Sequence, residues 1–196
     1  MTRPATDPAS RSATPALSVC VYCGAREGAK PSYMAAATEV GRMIADEGWR
    51  LVYGAGDVGL MGAVARAAQT AGGDTFGVIP VHLLNMEVGK RDLTSFIVTE
   101  TMHERKKVMF MNADAIVVLP GGAGSLDEFF EVLTWKQIGL HDKPVFLLST
   151  DDYWAPLQGL VDHVIAEGFA ADSLATLFHT ISSIGELAAA LRALRA

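Results

Sequence analysis

The chain has 196 residues, half of them apolar and 19% charged, enough for one globular domain with its own core and too apolar for a disordered chain. Sixteen basic residues against 22 acidic ones give a formal charge of −6, which excludes an overall positive field that would gather a nucleic acid polymer or an anionic membrane. No apolar run approaches the roughly 18–20 residues of a spanning helix.

Residues 1–16, MTRPATDPASRSATPA, lack the apolar block of a signal peptide and read as a flexible N-terminal tail. The expected location is cytoplasmic. Residues 17–196 read as a single α/β domain. Leu17–Cys23 is a buried strand and Pro31–Glu47 an amphipathic helix. Arg50–Tyr53 is a strand, and Leu60–Ala71 an Ala-rich helix closed by Gly72-Gly73. Thr75–Ile79 is a strand followed by a long loop, Pro80–Leu93. Phe96–Val98 is a short strand and Met102–Asn112 a helix, with Thr101 and Glu104 spaced as a capping box. Ala115–Leu119 is an unbroken apolar strand, Leu126–Ile138 a helix, Val145–Leu148 a strand and Tyr153–Glu167 a helix. Leu177–Ile181 is a last short strand, and Ile184–Leu194 a helix started by Ser183 and Glu186.

Strands apolar throughout, each followed by a helix, imply a parallel sheet covered on both faces: a Rossmann-like, doubly wound α/β fold. Ligands in such folds bind outside the carboxyl ends of the strands. The loops that matter are therefore residues 24–30, 54–59, 80–93, 99–103 and 120–125.

Cys20 and Cys23 form C-x-x-C inside a strand, where residues three apart point to opposite faces, so structural thiols are expected. His82, His103, His141, His163 and His179 show no metal-ligand spacing, and no metal or cofactor is expected.

Two glycine loops stand out. In YGAGDVGLMG, Gly54, Gly56 and Gly59 fit G-x-G-x-x-G, but the next strand ends Ile79-Pro80-Val81-His82 without the acid a dinucleotide ribose needs. These glycines bring the backbone close to a mononucleotide, or simply pack helix on strand. In AIVVLPGGAGSLDEFFE, a strand runs through Pro120 into Gly121, Gly122, Ala123 and Gly124 and then a helix. Three glycines permit left-handed turns that aim amides at one point, and the helix start adds partial positive charge, a combination suited to a phosphate. Lys is absent after the last glycine, so this is not a Walker loop. Ser125 and Glu128 also fit a plain capping box. The basic run His103, Arg105, Lys106, Lys107 is either a solvated face or, since it leaves a strand at its carboxyl end one helix–strand–turn unit before Glu128, part of the same crevice.

PGGAGSLDE at 120–128 resembles the PGGxGTxxE signature of the LOG ("lonely guy") family, the cytokinin riboside 5′-monophosphate phosphoribohydrolases. MHERK at 102–106 is similar to that family's second signature, and YGAGDVGLMG, GVIP and TWKQIGLHDKP follow further family blocks in the same order, so the resemblance spans about Leu17 to Phe169. It implies hydrolysis of the N-glycosidic bond of adenosine 5′-monophosphate or its prenylated form, giving a free base and ribose 5-phosphate. It assigns catalysis to Arg105 and Glu128. It maps substrate contacts onto Glu87, Lys106, Gly122, Ala123, Gly124, Ser125, Leu126, Asp127 and Thr134; Met102, His103, Gly121, Gly54, Gly56 and Gly59 complete the candidate set. It further implies a homodimer with active sites near the interface, and Phe129, Phe130, Leu133 and Trp135 form an apolar group beside the loop. Ser125 stands for the family's Thr, Ala55 for a frequent third Gly, and Ala123 for a frequent Tyr. Two alternatives stay open: a noncatalytic nucleotide carrier on this fold, and a general AMP nucleosidase with no cytokinin role.

Overall fold

A computed structural model describes residues 15–84 and 92–195. Most of the expected tail, and Glu87 with the rest of residues 85–91, lie outside the described residues.

Seven strands, β1 (Ser18–Tyr22), β2 (Arg50–Tyr53), β3 (Asp74–Pro80), β4 (Ser95–Thr99), β5 (Ala115–Val118), β6 (Val145–Leu148) and β7 (His179–Ile181), form one sheet in the order β4-β3-β2-β1-β5-β6-β7. Every pairing is parallel. The helices are α1 (Pro31–Asp46), α2 (Gly59–Thr70), the single turn α3 (Val81–Leu84), α4 (Met102–Met111), α5 (Ala123–Gln137), α6 (Ala155–Ala166) and α7 (Ile184–Ala193).

Strand alternation divides the core in two. Val19, Val21, Leu51, Tyr53, Val117 and Leu119 pack under α1, α2 and α7. Cys20, Tyr22, Val52, Ile116, Val118 and Leu147 pack under α4, α5 and α6. A sheet buried on both faces needs strands without polar positions, and β5 and β6 are buried at every residue. Cys23 belongs to the first core and Cys20 to the second, as the odd spacing requires, and both thiols are free. Burial pushes both thiols up, which keeps them protonated and unreactive.

Several element boundaries depart from the sequence pattern; the last strand, for example, is His179–Ile181 and follows a 3-10 turn at Asp172–Thr176. Val81–Leu84 forms a helical turn inside the expected loop. The expected helix from Tyr153 begins only at Ala155, with Pro156 in its first turn, after a 3-10 turn at Thr150–Asp152. Most consequentially, α5 starts at Ala123 with Gly122 as its N-cap, three residues before the apolar periodicity begins at Leu126. Ser125 is therefore inside the first turn, and the Ser125–Glu128 capping box does not form. Thr101 and Glu104 do make the reciprocal box on α4. Ser183 caps α7, and the Glu186 carboxylate accepts from both the amide and the hydroxyl of Ser182.

The sheet order places the topological switch between β1 and β5. Both strands send their following loops away from a shared carboxyl edge, and the crevice between those loops is where an open α/β sheet takes its ligands.

Candidate active site

The loop after β1 and the loop after β5 meet backbone to backbone. The Gly24 amide donates to the Pro120 carbonyl at 3.0 Å, and a side chain on Gly24 would crowd the Gly121 backbone. The Gly24 carbonyl accepts from Leu60 at the start of α2. Gly59 has φ 56°, and a side chain there would overlap Ala25 and Arg26, so this position needs glycine both for its left-handed backbone and for the close approach.

A cavity of about 650 Å³ opens at this junction, a size that suits a nucleotide. Its walls come from residues 24–29 of the β1 loop, from Tyr33, Leu60, Met61, Leu83 and Met102, from Gly121, Gly122, Gly124 and Ser125, and from Tyr153. The charged groups Arg26, Glu27, Arg105, Asp127 and Glu128 also face it.

Arg105 is the most constrained of these. It is 5% exposed. Its Nε donates to the Val78 carbonyl at 3.1 Å, its Nη2 to the Gly54 carbonyl at 2.7 Å, and its Nη1 approaches the Met102 sulfur at 3.8 Å. The guanidinium thus reaches across from α4 to the carboxyl ends of β2 and β3. Gly54 makes this possible, because a Cβ there would overlap Arg105 Nη2. The first glycine of the G-x-G-x-x-G pattern serves to seat a cation.

Glu128 lies one turn into α5, half-buried at the cavity wall. Burial pushes its carboxyl up to about 7, with Asp127 and Glu131 adding to the rise and Arg105 and Lys106 opposing it. A carboxyl poised there exchanges protons at neutral pH, which is the behaviour of an acid–base group rather than a surface carboxylate.

None of Gly121, Gly122 and Gly124 has positive φ, so the expected left-handed turns do not occur. Their use is spatial. A side chain on Gly121 would overlap the buried Ser125 hydroxyl, while Gly122 and Gly124 face open space. No side chain caps α5, so its first-turn amides present unpaired donors and partial positive charge beside the cavity. Left-handed backbone in this neighbourhood occurs instead at Gly28 in the β1 loop and at Ala55, φ 57°, and Gly59 in the other glycine loop.

Of the remaining candidates, Met102, Gly121, Gly122, Gly124, Ser125 and Asp127 line the cavity with Arg105 and Glu128. Gly54, Gly56 and Gly59 do not: Gly54 and Gly59 act by close packing, and Gly56 is buried. Ala123, Leu126, His103 and Thr134 stand off the described walls, and His103 and Thr134 are exposed. Lys106 also stands off them. Its ammonium is 2.9 Å from Asp127 Oδ2 and 3.0 Å from Glu131 Oε1, clamping α4 to α5. Burial alone would lower its pKa, but the two carboxylates outweigh that and raise it. Lys106→Met should therefore lower stability by about 1–2 kcal/mol, seen as a lower Tm, because two carboxylates beside Glu128 lose their cation. An unchanged Tm would mean the clamp contributes nothing.

The sequence pattern gave no signal for Tyr33 and Tyr153. Their rings meet edge to face at 5.4 Å in the cavity wall, one from α1 and one from the loop after β6. Among the described residues no group of acidic, His or Cys side chains is arranged to hold a metal ion, and no helix is long and apolar enough to cross a membrane.

A protein-family profile described as "Possible lysine decarboxylase" matches residues 61–191. The chain is 41% identical over 169 residues to the cytokinin riboside 5′-monophosphate phosphoribohydrolase LOG of Oryza sativa subsp. japonica, covering 86% of this chain and 70% of the relative. It is 44% identical over 167 residues to the cytokinin riboside 5′-monophosphate phosphoribohydrolase of Rhodococcoides fascians, covering 85% and 84% of the two chains. In fold it is similar to the molybdenum cofactor binding protein of Rippkaea orientalis, with TM-score 0.71 and 23% identity over 92% of this chain and 98% of that one.

Proposed function

Because the chain belongs to the LOG family of cytokinin riboside 5′-monophosphate phosphoribohydrolases, we propose that it hydrolyses the N-glycosidic bond of adenosine 5′-monophosphate or its prenylated form. The observation that carries this reading is the pairing, in one cavity, of a carboxyl tuned to about 7 with a buried guanidinium, beside an uncapped helix start. The first-turn amides of α5, with Gly121 to Ser125, hold the 5′-phosphate and so position the sugar. As the bond from the anomeric carbon to the purine nitrogen lengthens, positive charge grows on the ribose and negative charge on the leaving base. The ionised Glu128 stabilises the ribose and takes a proton from the attacking water, whose oxygen bonds to the anomeric carbon. The bonding pair leaves with the base, which picks up a proton. The Arg105 guanidinium stabilises the developing negative charge.

The decarboxylase label of the family profile implies a pyridoxal cofactor, which needs a lysine to form its Schiff base. No lysine is among the described residues lining the cavity, and Lys106 is committed to two carboxylates. The site does not fit that group.

Rates on AMP and on its prenylated analogue, measured side by side, test the substrate. A preference for the prenylated form of tenfold or more is expected for a cytokinin-forming enzyme; equal rates would make it a general AMP nucleosidase, and binding without base release a carrier.

We read the protein as a cytoplasmic homodimer with active sites near the interface. Phe129 and Leu133, counted above in the apolar group, are buried in the monomer core, and Trp135 is half-buried against Phe110, so Phe130 is the most exposed of that group. Met111, Ile138 and Leu140, each more than 60% exposed, offer apolar surface at the ends of α4 and α5. Light scattering at micromolar concentration should give about twice the 20.8 kDa chain mass; a single-chain mass would contradict the dimer.

A further inference from the structure

We infer that Tyr153 is a positioning residue for the phosphate-holding start of α5, held there by a strained turn anchored on α1. The inference rests on the proposed phosphate site and adds a residue that neither glycine loop contains.

The Tyr153 hydroxyl donates to the Gly121 carbonyl at 2.7 Å. Gly121 directly precedes Gly122, the N-cap of α5. In a trans peptide the carbonyl of one residue and the amide of the next point in opposite directions. Fixing the Gly121 carbonyl on Tyr153 therefore fixes the Gly122 amide on the side away from Tyr153. The peptide between two glycines has no side chain to hold it, so the hydroxyl supplies the constraint that the sequence Gly121-Gly122 lacks.

The turn that delivers Tyr153 is held from several sides. Asp151 and Asp152, consecutive and neither of them glycine, have φ 53° and 58°, a conformation that persists only where the surroundings over-determine it. The surroundings here are specific. Asp151 Oδ2 accepts from the Ser32 hydroxyl at 2.6 Å and lies 3.5 Å from Lys30 Nζ, both at the start of α1. The Tyr153 amide donates to Thr150, and the Trp154 amide donates to the buried Ser149 hydroxyl at 3.1 Å. The Tyr153 ring is then clamped edge to face between Tyr33 and Trp154, at 5.4 and 4.8 Å. A turn needed only to connect β6 to α6 would not require two left-handed aspartates. This one carries a hydroxyl from the loop after β6 to the phosphate loop after the neighbouring strand β5.

Tyr153→Phe keeps the ring and removes the hydroxyl, and its effect is read by calorimetry with AMP and with adenosine, which lacks the phosphate. The expected result is an AMP Kd raised about tenfold, the scale of one hydrogen bond to a ligand-orienting group, with adenosine affinity within twofold of wild type. The KM for AMP should rise with the Kd, and the inhibition constant of inorganic phosphate should rise with them. Ser32→Ala, which loosens the anchor, should move the same quantities in the same direction by a smaller factor. A lowered Tm with AMP affinity unchanged would overturn the inference and leave Tyr153 a packing residue. So would an equal loss for AMP and adenosine. Because the readout is binding, it stands apart from the hydrolytic reading: wild type that binds AMP but releases no base defeats that reading while leaving the Tyr153 comparison decisive.

Discussion

Glu128→Gln should lower base release from AMP by about a hundredfold or more while leaving AMP binding close to wild type. Gln matches Glu in volume, and the proposed phosphate contacts come from the α5 backbone, which the substitution does not touch. The change removes only the negative charge and the proton-accepting oxygen. The helix start gives no competing explanation, since Gly122 is the N-cap and Glu128 caps nothing. Stability should move the other way. Glu128 titrates near 7 when folded and near its ordinary value of 4.5 when unfolded, so the folded state holds the proton more tightly. Its contribution to stability is complete below the unfolded value and is lost as pH rises between about 4.5 and about 7. The Gln variant has no such loss. Its Tm should match wild type at acid pH and exceed it by a few degrees above neutrality. A variant that keeps its turnover, or one whose Tm advantage does not grow with pH, would return Glu128 to a structural role.

Gly54→Ala should be nearly as damaging, although residue 54 does not line the cavity. The added Cβ takes the space of Arg105 Nη2, and the rigid strand end cannot yield as readily as the side chain. Arg105 must then leave both carbonyls that anchor it. Turnover should fall by about a hundredfold, the scale of losing one preorganised electrostatic contact. The pH profile gives a second signature. Arg105 is the largest influence holding the Glu128 carboxyl down against burial, so its departure should raise that pKa further. In wild type kcat/KM should climb as pH rises toward about 7 and then level; in Gly54→Ala the levelling point should move to higher pH. A loss of activity with the profile unshifted would mean that Arg105 acts on substrate without tuning Glu128.

Much of this was legible in the residues, for physical reasons. Strands such as AIVV and VFLL are apolar at every position because both sheet faces are covered, and that pattern alone indicates a parallel sheet. The Thr101–Glu104 box was readable because its spacing is dictated by one helical turn. The start of α5 is not legible because Ala123, Gly124 and Ser125 carry no apolar periodicity, although the helix begins at Ala123 with Gly122 as its N-cap. The same shift undid the Ser125 capping box. Lys106 reads from its motif as a substrate cation, yet Asp127 and Glu131 arrive one helix later in the chain and neutralise it, a contact that no local pattern encodes. Gly54 reads as a nucleotide-loop glycine, but its neighbour is a guanidinium 51 residues away. Tyr153 is invisible to motif reading for the same reason: its partner, Gly121, lies 32 residues back, in the loop after the neighbouring strand β5.

The most direct test of the account is product analysis of wild-type protein incubated with AMP at pH 8, where Glu128 is ionised. Free adenine and ribose 5-phosphate should appear in equal amounts, and Glu128→Gln should produce both at about a hundredth of the rate or less. AMP recovered intact after prolonged incubation, or converted to adenosine and phosphate, would contradict it.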